Sequence, residues 1–213
     1  APRMLKSSAR EELAAYHLMP MPRGSLNSLV PVPVDTACQL GPDQLVLAVK
    51  SVGLNFRDVL NVLGMYPGDP GPPGGDCSGI VLRGSVMHGD TVIAGPGEAV
   101  FGLAAGSLGS HVVTSSQTVV PMPTSVTFEE AATMPTVFIT VDTAVNGIAA
   151  IQPGQRALVH AAAGGVGLAA MQVRLPHFPI LHQSHFSMLH QSPLQLVEAG
   201  LVIGRPQQQK IWL

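Results

Sequence analysis

ALVHAAAGGVGLAAMQ, residues 157–172, begins as an apolar run, passes through Gly164, Gly165 and Gly167, and resumes as Leu-Ala-Ala-Met. Three structures compete for it: a membrane span, a core turn and a cradle for a nucleotide. A transmembrane helix needs about 20 consecutive apolar residues. This run carries His160, Gln172 and three glycines, which argues against a span. A strand, a turn and a helix account for it better. Pro153 and Gly154 supply a turn, residues 157–159 a β-rich core, and the glycines a bend that opens a helix. Ala162, Gly164 and Gly167 fall on the three small positions of a G-x-G-x-x-G-like pattern. Such a bend brings main-chain N–H groups at a helix N-terminus up to a phosphate. It also serves plain close packing of helix on strand, and both uses stay open at this point.

Outward from the bend, the pattern changes twice. Upstream, residues 125–151, SVTFEEAATMPTVFITVDTAVNGIAAI, read as helical. Ser125 or Thr127 is the expected cap, with Glu129 and Glu130 near the positive helix end. Between residues 26 and 120, short β-type runs alternate with turn residues: SLVPVPV, QLVLAVKSVG, GDCSGIVLRG, GDTVIAG and SHVVTSSQTVVPMP. That spacing predicts a small, irregular antiparallel barrel or sandwich. FRDVLNVLGMY, residues 56–66, interrupts it as a short helix with Val59, Leu60 and Leu63 on one face. A further helix is expected over residues 9–17, capped by Ser8 with Glu11 at the capping-box spacing. Downstream, Pro176 and Pro179 stop the helix that the glycines open. LHQS then recurs after eight positions.

Composition narrows the function classes. Of 213 residues, 46% are hydrophobic and only 11% charged, with a net charge of −2, so no basic surface announces a nucleic acid. A small or protein-borne partner fits better. The 23 glycines and 19 prolines are spread along the chain, as in a loop-rich globular protein. Two cysteines, Cys38 and Cys77, are too few for a disulfide scaffold or a four-thiolate metal site. With no signal peptide legible, the expectation is a cytoplasmic protein. His177, His182, His185 and His190 lack regular spacing and a nearby carboxylate, so a biased tract explains them better than a metal. His160 is expected in the core or beside a cofactor rather than acting as a base.

VGLNFRDVLNVLGMYPGDPG (52–71), GDTV (89–92), VFGLAAGSLGSHVV (100–113), VTFEEAATMPTVFITVDTA (126–144) and LVHAAAGGVGLAAMQ (158–172) occur in that order. Through them, residues 24–173 resemble the zinc-free medium-chain dehydrogenase/reductase superfamily, and within it the enoyl reductase domains of polyketide synthases. The resemblance implies an α/β fold: a GroES-like β-rich domain followed by a partial Rossmann domain for NADPH. It implies a lead-in over residues 1–23, the GroES-like domain over 24–135, the start of the Rossmann domain over 136–175 and a divergent tail over 176–213. Zinc-dependent relatives carry cysteine where Asn55 stands and histidine where Gly75 stands, so a catalytic zinc is not expected.

By the same resemblance the substrate is an α,β-unsaturated thioester on an acyl carrier protein. Other domains of a homodimeric multidomain synthase would be its partners. Hydride reaches the β-carbon, charge grows on the thioester oxygen, and the α-carbon takes a proton. Tyr66 is the expected proton donor or substrate-positioning group, against the alternative of a half-buried tyrosine holding a turn. Asn55 and Thr140 are expected beside the nicotinamide or ribose, and Ala163, Gly164, Gly165, Val166 and Gly167 at the dinucleotide. Arg57 and Asp58 are read as an ion pair or cap at the short helix. The lysine and aspartate that the family places later have no counterpart: Lys210 is the only later lysine and no aspartate follows Asp142. Roughly 40 residues beyond position 173 fall short of several more strand-helix units of about 30 each. Two readings therefore stand side by side, an active enoyl or quinone-type reductase and a truncated, inactive fragment of one. A binding module reusing the fold is a third.

Overall fold

A computed structural model describes residues 15–152, 157–173 and a strand at 201–203. The chain divides into two compact units, Ala1–Pro135 and Thr136–Leu213.

The first unit is built on a five-stranded antiparallel sheet. Its strands are β3 (Gln44–Gly53), β4 (Asp76–Arg83), β7 (Ala99–Leu103), β8 (His111–Ser115) and β9 (Val119–Pro121), in the spatial order β8-β3-β4-β7-β9. β1 (Tyr16–Pro20) pairs with β2 (Leu29–Pro33), and β5 (Val86–His88) with β6 (Thr91–Ala94). β3 enters the core at Leu45, Val46 and Leu47, which are all fully buried, as a run flanked by structure on both faces must be. Leu45 and Leu47 join Val81, Val100, Val112, Val119 and Cys77 in one core. β3 pairs with β4 through Ser51↔Ser78 and Gly53↔Asp76, with bulges beside Leu47 and Ser51 that bend the pair.

Two short helices complete the unit. α1 (Phe56–Val62) lies between β3 and β4, and α2 (Phe128–Ala132) packs on the sheet. Ser78 donates its hydroxyl to the Phe128 carbonyl at 2.6 Å, tying α2 to β4. Thr127 caps α2, accepting the Glu130 N–H at 3.2 Å, while Glu130 accepts the Thr127 N–H at 2.9 Å. The Thr127 backbone N–H and then its hydroxyl hold the Glu130 carboxyl below its ordinary range. That contribution to stability is present above the ordinary carboxylate pKa and is lost as pH falls through the lowered one.

Three expectations change. The helix over residues 9–17 gives way at Tyr16 and His17 to β1, whose backbone is held by β2 and by the bonds Leu18 N–H to Leu108 O (2.7 Å) and Ser110 N–H to Tyr16 O (2.8 Å). Partners roughly ninety residues away in sequence override the local helical pattern; residues 1–14 lie outside the described residues. SHVVTSSQTVVPMP is not one run but β8 and β9 around a 3-10 turn at Ser116–Thr118. In α1 the apolar face is not the inner one: Asp58, Asn61 and Val62 are buried, whereas Val59 is 42% exposed.

The division between the units falls after the first residue of α3 (Pro135–Asp142), which runs into a π-helical segment at Thr143–Ile148. Pro135 explains why the long helical stretch breaks here: proline suits a first helical position and cannot continue a helix from before it. β10 (Ala157–Val159) and α4 (Gly165–Gln172) follow, and β11 (Leu201–Ile203) pairs antiparallel with β10. Val141, Ala144 and Val145 pack with Ala169 and Ala170 of α4, joined by Val137, Val159 and Val166. This strand-bend-helix has the form of a partial Rossmann fold, and the first unit that of a GroES-like β-rich domain. The turn expected at Pro153 and Gly154 and the histidine tract lie outside the described residues. Among the described residues no helix is long and apolar enough to cross a membrane.

Candidate functional site

Asn55 is the N-cap of α1. Its N–H donates to Asp58 Oδ2 at 2.8 Å, and its side-chain Nδ2 donates to Asp76 Oδ2 at 3.1 Å. Asp58 is also the anchor of the Gly/Pro-rich loop that follows, accepting the Gly74 N–H at 2.8 Å. Asn61, one turn on, donates Nδ2 to the Gly71 carbonyl at 3.1 Å and accepts Arg23 Nε at 3.1 Å. Arg23 adds a bond to Gly71 O and an ion pair with Asp69 at 3.6 Å. The inward-facing polar residues of α1 thus satisfy loop groups that no strand reaches. Gly74 belongs to this arrangement by necessity: at φ +98° a Cβ would also meet Ser107 N at 2.9 Å.

Tyr66 sits in that loop. Met65 and Tyr66 N–H both donate to the Leu60 carbonyl, at 2.8 and 3.2 Å, which folds the chain back over α1. The half-buried Tyr66 ring then lies under the Arg57 guanidinium, 5.1 Å from Cζ to the ring centroid. Asp58 is a cap, as the sequence predicts, but Arg57 stacks on an aromatic ring instead of pairing with it. Sequence reasoning missed Arg23 and Asn61 altogether. The signal available was the run of glycines and prolines at 64–75, whose amides and carbonyls require anchors.

Cys77, on β4, is fully buried. Burial first, then the Asp76 carboxylate, push its thiol up to about 12, against an opposing contact with the Ser107 hydroxyl. At pH 8 only about one molecule in ten thousand would carry the thiolate that alkylating agents attack. Native chain is therefore expected to lose one thiol, Cys38, to iodoacetamide, with Cys77 reacting only on unfolding; mass mapping of the adducts decides it. The fold keeps the Cys77 proton beyond the ordinary thiol value of 9.0, so stability falls as pH rises from there towards 12. Among the described residues no three His, Cys, Asp or Glu side chains gather as metal ligands do.

In the second unit, Ala161 adopts φ +50° and its carbonyl accepts the Gly164 N–H at 2.8 Å. Gly164 caps α4 with extended geometry, φ −80° and ψ 166°. Its amide is therefore taken by its own chain, while the N–H groups of Gly165, Val166 and Gly167, in the first turn, have no helical acceptor. Gly167 is buried against the bend, and Ala163 and Gly165 are exposed. Val166 turns its side chain into the core. Thr140, on α3, donates Oγ1 to the Thr136 carbonyl at 2.7 Å. His160 is exposed at the end of β10, not in the core.

No family model matches the chain. Residues of the chain are 44% identical to the pikromycin polyketide synthase component PikAII of Streptomyces venezuelae over 164 positions, which is 75% of this chain and 4% of that protein. Among solved structures, the CurK enoyl reductase superposes with a TM-score of 0.67 at 34% identity, covering 78% of this chain and 52% of that one. In sequence the chain is similar to polyketide synthases, and in fold to enoyl reductases and quinone oxidoreductases. A second solved structure, mycobacterial Rv1454c complexed with NADPH, matches with a TM-score of 0.60 at 25% identity, over 75% of this chain and 48% of that one. The chain thus spans about half the length of these two solved structures and a small part of the synthase component it resembles in sequence.

Proposed function

We propose that the chain is part of an enoyl reductase that saturates the α,β double bond of an enoyl thioester carried on an acyl carrier protein. NADPH is the reductant, and the other domains of a dimeric cytoplasmic synthase are the partners. The observation that carries the reading is the bend after β10, from which α4 starts at Gly165 with first-turn amides free of helical acceptors. Those amides fit a pyrophosphate: the N–H groups of Gly165, Val166 and Gly167 would hold it, aided by the positive end of the helix. NADPH, when bound, supplies the hydride that the β-carbon accepts. The remaining work belongs to this chain. Asn55, through the Nδ2 hydrogen not given to Asp76, and Thr140, through its Oγ1 lone pairs, orient the nicotinamide end. The Tyr66 phenol gives its proton to the α-carbon, which completes the addition of one hydride and one proton.

A second reading has support of its own: Gly164 has its amide bonded to Ala161, and Gly167 is required by packing, so the bend also makes sense as pure structure. Titration with NADPH, followed by nicotinamide fluorescence, separates the two. Saturable binding and loss of nicotinamide absorbance on adding a crotonyl thioester support the reductase; absence of binding at millimolar NADPH overturns it. Tyr66→Phe is expected to lower the reduction rate by about a hundredfold, the scale of one lost general acid, at unchanged NADPH affinity. An unchanged rate with unchanged product stereochemistry removes Tyr66 from the mechanism.

A further inference from the structure

We propose that Arg57 is a positioning residue, which fixes the Tyr66 ring and so decides where its phenol points. The inference rests on Tyr66 as proton donor. Two backbone bonds to Leu60 set the Tyr66 main chain but leave the torsions of its side chain to be chosen. Each change of staggered χ1 well carries the phenol oxygen several ångströms, so something must select one well. The Arg57 guanidinium lies over the ring face, 5.1 Å from its centroid, where a cation is attracted by the ring's π-electrons. Arg57 is itself well placed to hold still. It stands in the first turn of α1, whose start is fastened by Asn55 and Asp58, and its Nη2 reaches the Pro70 carbonyl at 3.5 Å on the far side of the loop. Among the described residues it forms no ion pair, so its charge is met by the ring and by the Pro70 carbonyl. An exposed residue whose side chain spans from helix to loop across an aromatic face is a strut, and the group it braces is the one given the chemistry.

The chain has two tyrosines, which makes 3-fluorotyrosine labelling of the full chain simple to read: Tyr16→Phe and Tyr66→Phe assign the two fluorine resonances. Addition of NADP+ with crotonyl pantetheine is expected to shift the Tyr66 resonance. Arg57→Gln should abolish most of that shift and weaken apparent crotonyl-pantetheine binding about two- to fivefold, the scale of an exposed cation–π contact. Arg57→Lys, which keeps the cation, should restore most of both. An Arg57→Gln chain with the wild-type response overturns the positioning role while leaving Tyr66 in place. A wild-type Tyr66 resonance that ignores both ligands overturns the donor reading itself, and the positioning role with it. Should Arg57→Gln fail to fold, the stack is tested from the other side: Tyr66→Leu must move the Arg57 Nε–H resonance downfield to that of a free arginine, and no movement overturns the proposal.

Discussion

Gly167→Ala is expected to destabilise the second unit by about 2 kcal/mol and to lower NADPH affinity with it. A Cβ at this position would stand 2.6 Å from Ala162 Cα and 2.8 Å from Ala162 C, and would run into the Ala161 carbonyl oxygen as well. These are backbone atoms, so no side chain can swing away. They also cannot retreat easily: Ala161 is already in the left-handed region at φ +50°, and its carbonyl is tied to the Gly164 N–H. The helix side is equally fixed, because Ala169 and Ala170 of α4 are buried against Val141, Ala144 and Val145. Relief must come from sliding α4 out of that core, which weakens its packing and displaces the first-turn amides. Calorimetry should show the loss as a drop on the order of 10 °C in the transition of this unit. Gly75→Ala is the control, since a Cβ there meets nothing within 4 Å. A Gly167→Ala chain that melts with the wild type would mean that helix and bend are not in close contact.

The contrast between Gly167 and the rest of the bend shows how far the sequence could be read. The strand, bend and helix were legible because their signals are local: an apolar run, small residues where the chain turns, and a helix-forming stretch after them. β3 was legible for the same reason, its expected limits at residues 44–53 coinciding with Gln44–Gly53. Thr127 as a cap was legible because capping involves residues three apart. β1 was not, because what makes Tyr16–Pro20 a strand is β2 and the segment around Leu108 and Ser110, none of which its own residues announce. Nor was the buried face of α1. Periodicity assumes that helices turn apolar residues inward, and here the loop at 64–75 needs hydrogen-bond partners more than α1 needs another leucine inside. The consequence for the site is direct. The motif supplies Asn55 and Tyr66, but Asp58 holds the first, Arg57 stacks on the second, and Arg23 and Asn61 fasten the loop at Gly71, all across a fold-back that no local pattern announces.

Asp58→Ala should be the most damaging single change in the first unit, at about 3–5 kcal/mol, because two hydrogen bonds to a charged acceptor vanish together. Asp58 is 6% exposed and accepts the Asn55 and Gly74 N–H groups, each at 2.8 Å. Alanine leaves both donors without their acceptor. Gly74 sits at φ +98° against the backbone of Ser107 and Leu108, where water has little room to replace the carboxylate. Asp58→Asn is expected to cost about half as much, since one amide oxygen can keep one of the two bonds. Denaturant unfolding of the full chain gives the magnitude, and hydrogen exchange gives the place: protection should fall first at Asn55 and Gly74, then along the loop to Tyr66. That order matters for function. If the Asp58 carboxylate is what couples α1 to the loop, Asp58→Asn will slow thioester reduction more than it weakens NADPH binding, because the amides at α4 are untouched. Equal loss of both would place the damage in global unfolding, and a stability change below about 1 kcal/mol for Asp58→Ala would show that the two N–H groups find other acceptors.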